Sequence, residues 1–488
     1  MLSSIRTTKQ VQRVARGAPR VFSTMQPFHP DTYEQKYLAK TYNANGVRGE
    51  PGLVFTHGRG SKLYDAQGRE FLDFYAGIAV SGLGHGDDDW YKSLVENGKN
   101  VTHVSNLFHS KAPLELAKTL VDHSRFDKVF FANSGTEANE GAYKFARLYA
   151  NRVTQGTPLE GKKYEFISFK HGFHGRTAAA LTLTHKPKIR DAFMPLVPGV
   201  HYADFNDIES VKKVISNKTA GVFVEPVQGE GGVYPADLDF MRELRSLCDK
   251  HDAMLIADEV QCGLGRTGAL FAHELYDVTP DIMTLAKPLA GGLPIGAVLM
   301  LNKVAAAISP GQHGTTFGGN PLVCAVANTV LNKIKDETFL ANVQKRGHYL
   351  ASGLETLQQK FPEKVVEVRK PIGKGGLFVA LECAKPVGPL IEYALSKQVL
   401  IISAGENTIR LCPPLVVDEK DIDKLLEVFE KAFCSSASVL MDSLAAVAVA
   451  VTQSARERDD ADKCVAPLEL MLAAEVCSCL LLKKKVFG

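Results

Sequence analysis

The chain contains the stretch Ala253-Met254-Leu255-Ile256-Ala257-Asp258-Glu259-Val260-Gln261, and a second apolar run, Asp281-Ile282-Met283-Thr284-Leu285-Ala286-Lys287, follows it. Short runs rich in aliphatic and β-branched residues are typical of buried parallel strands. Each run delivers one ionisable side chain near its C-terminal end, a carboxylate at Asp258 and an amine at Lys287. Ligands of open α/β sheets bind beyond the carboxyl ends of the strands, so the pair predicts a cofactor held between these two side chains.

Strand-like runs alternate with helical patterns over the middle of the chain. The other predicted strands of this region lie at residues 128–131, 164–169, 221–224 and 295–300, and its helical patterns include residues 136–152 and 238–250. This alternation requires crossover connections, which predicts an α/β fold with a mostly parallel sheet covered by helices on both faces. A second, smaller α/β domain is predicted from strand-like runs at residues 365–368, 375–381, 399–402 and 408–411, with helices at 390–397 and 419–433.

Composition excludes several classes of protein. The 488 residues can form two or more domains, and a net charge of +3 is too small to indicate a nucleic-acid partner. No run approaches the ~20 apolar residues of a membrane helix, so we predict no membrane span. The nine cysteines include no C-x-x-C pair, which favours reduced thiols over a disulfide framework or a zinc site, and no metal site is predicted.

Both ends of the chain differ from the predicted domains. Residues 1–22 are rich in arginine and contain no acidic residue, which is typical of a mitochondrial transit peptide, and Arg20-Val21-Phe22-Ser23 is similar to a processing site. The alternative is a disordered basic arm. Residues 435–488 change from Ser/Ala/Val-rich to Leu/Cys/Lys-rich without turn signals, and we expect this tail to lie outside the fold and to be disordered.

The motif Asn133-Ser134-Gly135-Thr136-Glu137-Ala138-Asn139 follows a predicted strand and opens a predicted helix. Small residues at a helix start leave backbone N–H groups free at the positive end of the helix dipole, which predicts an anion site for a phosphate at Ser134, Gly135 and Thr136. Simple N-capping by Ser134 or Thr136 is the alternative.

Two further loops carry polar side chains and glycines. His171-Gly172-Phe173-His174-Gly175-Arg176-Thr177 has two histidines but no third metal ligand nearby, whereas Arg176 is suited to bind a carboxylate through its two-pronged guanidinium group. Glu225-Pro226-Val227-Gln228-Gly229-Glu230-Gly231-Gly232 is either a solvated turn or part of a site. Gly263-Leu264-Gly265-Arg266-Thr267-Gly268 matches a dinucleotide fingerprint, but four residues separate it from the strand end at Asp258, and we predict an ordinary loop.

The Asp258 and Lys287 pair has a chemistry that explains these loops together. A lysine that forms a Schiff base with an aldehyde cofactor, and a carboxylate that pairs with a pyridinium nitrogen, are the arrangement used with pyridoxal 5'-phosphate. A salt bridge between the two side chains is the alternative, but it leaves the anion site and the glycine-rich loops unexplained.

The motifs resemble, in order, those of class III (ω-amino) pyridoxal phosphate aminotransferases. They lie at residues 133–139, 173–177, 225–232, 258–268, 286–292 and 313–321, and the resemblance extends over residues 35–433. It implies fold type I, with a seven-stranded, mostly parallel sheet in a large domain and a smaller α/β domain built from N- and C-terminal segments. We expect an N-terminal segment at 23–105, the large domain at 106–325 and the small C-terminal domain at 326–434.

The resemblance also implies a role for each site residue. Lys287 binds the cofactor covalently and moves the substrate proton, and the other implied cofactor contacts are Ser134, Gly135, Thr136, Phe173, Asp258, Gln261 and Thr316. Phe173 stacks on the ring, Gln261 contacts the ring hydroxyl, and Thr316 reaches the phosphate of a neighbouring subunit, which implies a homodimer with shared active sites. The resemblance implies that Arg176 and Arg410 bind the substrate carboxylates. It places Thr315 near the substrate and allows Glu230 to pair with Arg410.

Within that family the chain resembles the subgroup that acts on N2-acetylornithine and 2-oxoglutarate in arginine biosynthesis, in the mitochondrial matrix in the fungal form. The segment Gly77-Ile78-Ala79-Val80 and the Ser-Gly-Thr sequence at residues 134–136 carry this similarity. Ornithine, succinylornithine and 4-aminobutyrate remain alternative amino donors. From other classes, a dehydrogenase and a non-catalytic scaffold are the alternatives. One departure from the family pattern, Asp87-Asp88-Asp89 after the glycine loop, leaves the local geometry open.

Overall fold

The computed structural model describes residues 30–39, 41, 52–373 and 375–435. The chain divides into two units, residues 1–54 and residues 55–488, and the first contains the helix α1 (Pro30–Tyr37). The predicted transit peptide at 1–22 lies outside the described residues, as does the predicted tail apart from its first residue. Within the described ranges, no helix has both the length and the apolar character needed to cross a membrane.

The second unit contains all the strands and the remaining helices of the described residues. The strands are β1 (Phe55–Arg59), β2 (Lys62–Asp65), β3 (Glu70–Asp73), β4 (Lys128–Ala132), β5 (Glu165–Phe169), β6 (Val200–Ala203), β7 (Thr219–Val224), β8 (Val227–Gln228), β9 (Tyr234–Pro235), β10 (Met254–Asp258), β11 (Ile282–Leu285), β12 (Gly296–Met300), β13 (Val365–Arg369), β14 (Val379–Cys383), β15 (Val399–Leu400), β16 (Ile402–Ser403) and β17 (Thr408–Leu411). The helices are α2 (Ala76–Ala79), α3 (Asp88–Gly98), α4 (Lys111–Asp122), α5 (Gly135–Thr154), α6 (Ala178–Leu183), α7 (Pro187–Arg190), α8 (Ile208–Lys212), α9 (Leu238–Lys250), α10 (Asn302–Ala305), α11 (Pro321–Ile334), α12 (Glu337–Lys360), α13 (Gly388–Ser396) and α14 (Glu419–Ser435). Short 3-10 helices span Asp191–Phe193, Ala272–Tyr276 and Lys287–Ala290.

A seven-stranded sheet with the order β4-β12-β11-β10-β7-β5-β6 forms the centre of the unit. Six of its strands run in one direction, and only β12 is antiparallel to its two neighbours, β11 and β4. Every residue of β7, β10, β11 and β12 is buried, as expected for strands covered on both faces. The structure therefore confirms the predicted α/β fold with a mostly parallel seven-stranded sheet.

Alternating side chains of these strands form two separate cores. Phe166, Phe223 and Ile256 pack with the apolar face of α5. Their sequence neighbours Ile167 and Val222 pack with α9 on the opposite face of the sheet. This period of two places a helix on each side, because successive strand side chains point to opposite faces.

Two four-stranded sheets accompany the central one, with the orders β1-β2-β3-β15 and β13-β14-β17-β16. The parallel pairing of β15 with β3 joins a late segment of the chain to an early one. The predicted single strand at 399–402 is divided here, because β15 pairs with β3 whereas β16 pairs with β17. The predicted strand at 375–381 corresponds to β14, which begins later, at Val379.

The three-aspartate segment forms the start of a helix. Asp87 is the N-cap of α3, and its carboxylate accepts a hydrogen bond from the Trp90 N–H at 2.9 Å. Lys333 on α11 pairs with Asp87 at 2.8 Å and with Asp89 at 2.6 Å. Carboxylates in the first turn are favourable to the helix dipole, so this departure from the family pattern produces a capped helix.

Candidate active site

The loop from β4 into α5 has the geometry of an anion site. Ser134 is the N-cap of α5, and its hydroxyl accepts a hydrogen bond from the Glu137 N–H at 3.2 Å. The N–H groups of the first helical turn have no acceptor within the helix. A side chain at Gly135 would place its Cβ 2.5 Å from a methyl carbon of Val260, so only glycine fits this close approach. The predicted phosphate binding and the alternative, N-capping by Ser134, therefore do not exclude each other: the same loop can do both.

Thr136 connects this loop to the loop that carries Phe173 and Arg176. Its hydroxyl accepts hydrogen bonds from the backbone N–H groups of Arg176 at 2.9 Å and Thr177 at 3.1 Å. Arg176 is exposed, and its guanidinium carbon lies 5.8 Å from the centre of the Phe173 ring. The Thr136 side chain therefore holds the neighbouring loop, which leaves its backbone N–H for an anion.

Asp258 lies at the carboxyl end of β10 with its carboxylate fixed on several sides. Its Oδ2 accepts a hydrogen bond from Asn139 Nδ2 at 2.7 Å and lies 2.8 Å from the Nδ1 atom of His174. Its Oδ1 accepts from the Val260 N–H at 3.0 Å, and the Thr284 hydroxyl donates to Asn139 Oδ1 at 2.7 Å. Burial disfavours the charged form of His174, but the hydrogen bond and charge of Asp258 outweigh it and raise the pKa of the imidazole.

Lys287 follows β11, the strand beside β10, and begins a 3-10 helix. Burial and the positive charge of Arg410 lower the pKa of its amine, while Asp258 and Glu225 act in the opposite direction. A lowered amine pKa increases the fraction of the neutral, nucleophilic form near neutral pH. The predicted carboxylate and amine thus lie at the carboxyl end of β10 and just beyond that of β11, two adjacent parallel strands.

Glu225 is a further buried carboxylate beside this group. It accepts hydrogen bonds from the backbone N–H groups of Phe173 at 2.9 Å and Gly229 at 3.0 Å. Burial and the nearby charge of Asp258 raise the pKa of Glu225 to about 7, against the opposing effect of His174. The loop at residues 225–232 therefore begins inside the protein and not as a solvated turn.

These residues enclose one cavity of 320 Å³ at the carboxyl ends of the strands. Eight residues with predicted site roles line it, namely Ser134, Gly135, Thr136, Phe173, Arg176, Asp258, Gln261 and Lys287. Asn139, His174 and Glu225 also line it, although they were not among the predicted site residues. His174 could have been found from its position beside Phe173 in the motif, where only a metal role was considered for it and was not predicted. Among the described residues, no group of His, Cys, Asp and Glu side chains is arranged to hold a metal ion.

Two of the predicted substrate residues form a charged group beside this cavity. Arg410, on β17, is 2 % exposed and its Nη2 lies 3.0 Å from Glu230 Oε2. Its Nη1 donates to Gln261 Oε1 at 2.9 Å, which links it to the cavity wall. Lys186, which was not predicted, contacts the other oxygen of Glu230 at 2.8 Å.

Thr315 and Thr316 lie in another loop and are not among the residues that line the cavity of this chain. The Thr315 hydroxyl accepts a hydrogen bond from Asn133 Nδ2 at 2.8 Å, so it borders the β4–α5 loop. Thr316 is exposed, and its predicted role concerns the phosphate in a neighbouring subunit.

The segment Gly263–Gly268 forms turns and not the start of a helix, as predicted. Arg266 is fully buried there and donates to the carbonyl oxygen of Leu377 at 2.9 Å. A dinucleotide site needs glycines that open a helix after a strand, so this geometry does not support the dehydrogenase alternative.

The cavity fits pyridoxal phosphate by the chemistry of its wall. A helix N-terminus that begins at Gly135, where an added Cβ would come within 2.5 Å of Val260, suits the phosphate. The anchored carboxylate of Asp258 suits a pyridinium nitrogen, and Lys287 supplies an amine with a lowered pKa. Phe173 is partly buried in the cavity wall and offers a flat apolar surface.

Comparison with known proteins gives the family. The family described as Aminotransferase class-III matches residues 42–433. The chain is 52% identical over 383 residues to a protein of Dictyostelium discoideum named probable acetylornithine aminotransferase, mitochondrial, and the match covers 78% of this chain and 83% of that protein. It is 50% identical to the acetylornithine aminotransferase, mitochondrial, of Alnus glutinosa, over 77% of this chain and 82% of the relative.

Solved structures agree with this result. The N-acetylornithine aminotransferase of Stenotrophomonas maltophilia has a TM-score of 0.68 at 38% identity and covers 79% of this chain and 97% of its own. The ornithine aminotransferase of Toxoplasma gondii has a TM-score of 0.77 at 29% identity and covers 84% of this chain and 95% of its own. With the matched residues spanning the sheet, the cavity and the Arg410–Glu230 pair, this chain belongs to the class III family of pyridoxal phosphate-dependent aminotransferases.

Proposed function

We propose that the protein transfers the δ-amino group of N2-acetyl-L-ornithine to 2-oxoglutarate, giving N-acetyl-L-glutamate 5-semialdehyde and L-glutamate. The observation that carries the proposal is the Arg410–Glu230 ion pair, at 3.0 Å, beside the cavity that Lys287 and Asp258 line. While Glu230 neutralises Arg410, a donor whose chain is uncharged or carries one carboxylate can bind beside this pair. The same arginine binds a dicarboxylate when the glutamate moves away. The reaction alternates between two such substrates.

Pyridoxal phosphate, when bound, supplies an aldehyde carbon that links to amines and a ring that accepts the electrons released at the substrate carbon. Asp258, held by Asn139 and His174, would pair with the ring nitrogen of the cofactor. Gly135 and Thr136 offer backbone N–H groups to the phosphate. Lys287, as a free amine, would accept the proton from the δ-carbon of the donor in the first half-reaction, and in the second it would deliver a proton to the α-carbon of 2-oxoglutarate, which becomes glutamate.

Arg176 and Arg410 divide the recognition of carboxylates. Arg176 is exposed at the cavity and is placed to hold the α-carboxylate of acetylornithine. Acetylation removes the charge of the α-amine, so only the distal amine of this donor reacts. Arg410 holds the α-carboxylate of 2-oxoglutarate or glutamate after Glu230 has moved.

We also propose a homodimer in the mitochondrial matrix, acting in arginine biosynthesis. The support for the address is the acid-free composition of residues 1–22 and the mitochondrial names of the relatives from Dictyostelium discoideum and Alnus glutinosa. The support for the dimer is a group of exposed apolar side chains, Leu107, Phe108 and Phe317, the last of which directly follows Thr316 in the sequence.

The visible spectrum of the purified protein before and after addition of acetylornithine tests the reaction. We expect the absorbance of the bound cofactor to change on addition and to return when 2-oxoglutarate is supplied. Lys287→Ala should bind the cofactor without completing the cycle, and its turnover should fall by several orders of magnitude. Turnover of free ornithine at a rate equal to or above that of acetylornithine would overturn the substrate assignment, and full activity of Lys287→Ala would overturn the role of the lysine.

A further inference from the structure

Glu230 is bound by two cations of different character. Its Oε2 lies 3.0 Å from Arg410 and its Oε1 lies 2.8 Å from Lys186 Nζ. The Arg410 side chain is 2 % exposed, whereas that of Lys186 is 41 % exposed. Burial alone would raise the pKa of Glu230, but the charge of Arg410 and then the contact with Lys186 lower it, so the carboxylate stays ionised.

The backbone of Lys186 is fixed to the loop that lines the cavity. The Thr184 hydroxyl accepts hydrogen bonds from the N–H of His174 at 2.8 Å and of Gly175 at 3.3 Å. The Lys186 N–H donates to the Thr184 carbonyl at 3.0 Å, and Lys186 is the N-cap residue of α7. The ammonium group is therefore carried on a flexible chain from an anchored position.

Arg410 and Lys186 have different roles when a dicarboxylate enters the site. A substrate carboxylate that binds Arg410 must displace Glu230, which would then be a partly buried anion next to another anion. An unpaired buried charge is costly, and two like charges at short distance add to that cost. A second cation that keeps its contact with Glu230 throughout removes most of this penalty.

We propose that Lys186 is a positioning residue that holds Glu230 while a substrate carboxylate occupies Arg410. The inference rests on the proposed function, because it assigns Arg410 to the dicarboxylate. It predicts that Lys186 affects the 2-oxoglutarate half of the reaction and leaves the acetylornithine half unchanged. Arg176, which serves the donor, has no contact with Lys186 or Glu230 among the hydrogen bonds and ion pairs of the described residues.

A simpler role must be separated from this one. A lysine near a site attracts any anion over several ångströms, without contact to Glu230. That attraction would also act on acetylornithine and would persist when Glu230 is neutral. Lys188, which is exposed and lies two residues further along, provides a matched control for the loss of one positive charge.

The experiment compares Lys186→Gln, Lys188→Gln and Lys186→Arg, each in the wild-type and the Glu230→Gln background. Stopped-flow spectra of each half-reaction give the apparent dissociation constants of acetylornithine and 2-oxoglutarate, and calorimetry gives that of glutarate, a dicarboxylate that cannot react. We expect Lys186→Gln to weaken 2-oxoglutarate and glutarate binding by roughly three- to fivefold, the upper range for a partly exposed ion pair. Acetylornithine binding should change less than twofold, and Lys186→Arg should restore the wild-type values.

In the Glu230→Gln background, Lys186→Gln should have no further effect on glutarate. An equal loss for both substrates, an equal effect of Lys188→Gln, or a loss that persists without the Glu230 charge would each overturn the inference. If the wild-type protein carries out both half-reactions while Lys186→Gln matches it, only the inference fails. If the wild-type protein shows no spectral change with acetylornithine, the proposed function itself fails.

Discussion

The most unusual residues of the site are its buried ionisable groups. Asp258, His174 and Glu225 share one cavity wall in which a carboxylate, an imidazole with a raised pKa and a second carboxylate with a pKa of about 7 lie together. Burial favours the neutral form of Glu225, and the nearby charge of Asp258 acts in the same direction. Asp258 has the hydrogen bonds of Asn139 and His174, whereas Glu225 has only backbone N–H donors. Among the described residues, no side chain donates a hydrogen bond to Glu225 that would offset the effect of burial on its pKa.

The titration of Glu225 gives a prediction on stability. The pKa of the Glu225 carboxyl is about 7 in the folded protein, against 4.5 for an ordinary glutamate. Between these two pH values the folded protein therefore binds a proton that the unfolded chain does not bind. Stability contributed by this group is therefore present at low pH and lost as the pH rises from about 4.5 to 7. In Glu225→Gln this loss disappears, and the free energy of unfolding of the variant relative to wild type should rise by roughly 1–3 kcal/mol across that range.

Urea unfolding of the two cofactor-free proteins at several pH values measures this difference. Other titrating groups are common to both proteins and cancel from the comparison, apart from His174, whose charge acts on Glu225. A difference that stays constant between pH 4.5 and 7 would contradict the raised pKa. A difference of the opposite sign would show that the carboxylate is stabilised as an anion.

At the scale of elements, the short helix α2 has a left-handed backbone. Its residues Ala76, Gly77, Ile78 and Ala79 have φ values of 49°, 61°, 66° and 62°. A left-handed conformation costs roughly 1–2 kcal/mol for each residue with a side chain, and Ile78 is β-branched. Val80, the next residue, lines the cavity, so this turn directs the backbone into the site at a cost in stability.

Gly77→Ala tests the cost of this turn. An added Cβ would meet only Val80 Cβ at 3.9 Å, so steric contact is ordinary and the backbone conformation alone decides the result. We expect the variant to be less stable by about 1 kcal/mol, measured by urea unfolding of the holoenzyme. Gly98→Ala is the control, because Gly98 ends the right-handed helix α3 with open space around it, and it should gain about 0.5 kcal/mol. Equal effects of the two substitutions would contradict the assigned strain.

The sequence predicted the elements that have strong local patterns and missed those defined by distant partners. The strand ends at Asp258 and Lys287 and the helix start at Ser134 were predicted because apolar runs and a capping residue mark them. The edge strand β6 was not predicted, since its four residues show no apolar run and only pairing with β5 defines it. The division of the predicted strand at 399–402 likewise depends on pairing with β3 and β17.

The same distinction applies to the site. Arg410 and Glu230 were identified through family motifs, although 180 positions separate them in the chain and only the fold brings them to 3.0 Å. Lys186 belongs to no motif, and its contact with Glu230 was visible only in the structure. Asn139 lies within a motif but reads as an ordinary helical residue, because its partner Asp258 is on another element.

At the scale of the whole molecule, apolar side chains are exposed on a segment next to the α10–α11 loop. Leu107 is 84% exposed, Phe108 73% and Phe317 61%. Phe317 packs its ring 5.5 Å from that of His103, and Phe108 lines a small cavity together with Gly318 and Pro321, so the two segments form one surface. Grouped large apolar side chains on a folded protein mark an interaction surface, and a second copy of the chain is the proposed occupant.

A double substitution of this surface, Leu107→Asp with Phe108→Asp, should convert the proposed homodimer to a single chain. Two carboxylates would have to be buried without partners in a symmetric interface, where each substitution occurs twice, and this cost exceeds the apolar gain of the contact. Light scattering coupled to gel filtration measures the mass. Because Thr316 lies beside this surface and is predicted to complete the phosphate site of the neighbouring copy, the single chain should also release its cofactor more readily on dilution.

Leu238→Asp, at an exposed leucine at the start of α9, is the control and should retain both the mass and the cofactor of the wild-type protein. A variant that keeps the mass of two chains would show that the copies meet through a different surface, and a wild-type protein with the mass of one chain would exclude sites shared between copies.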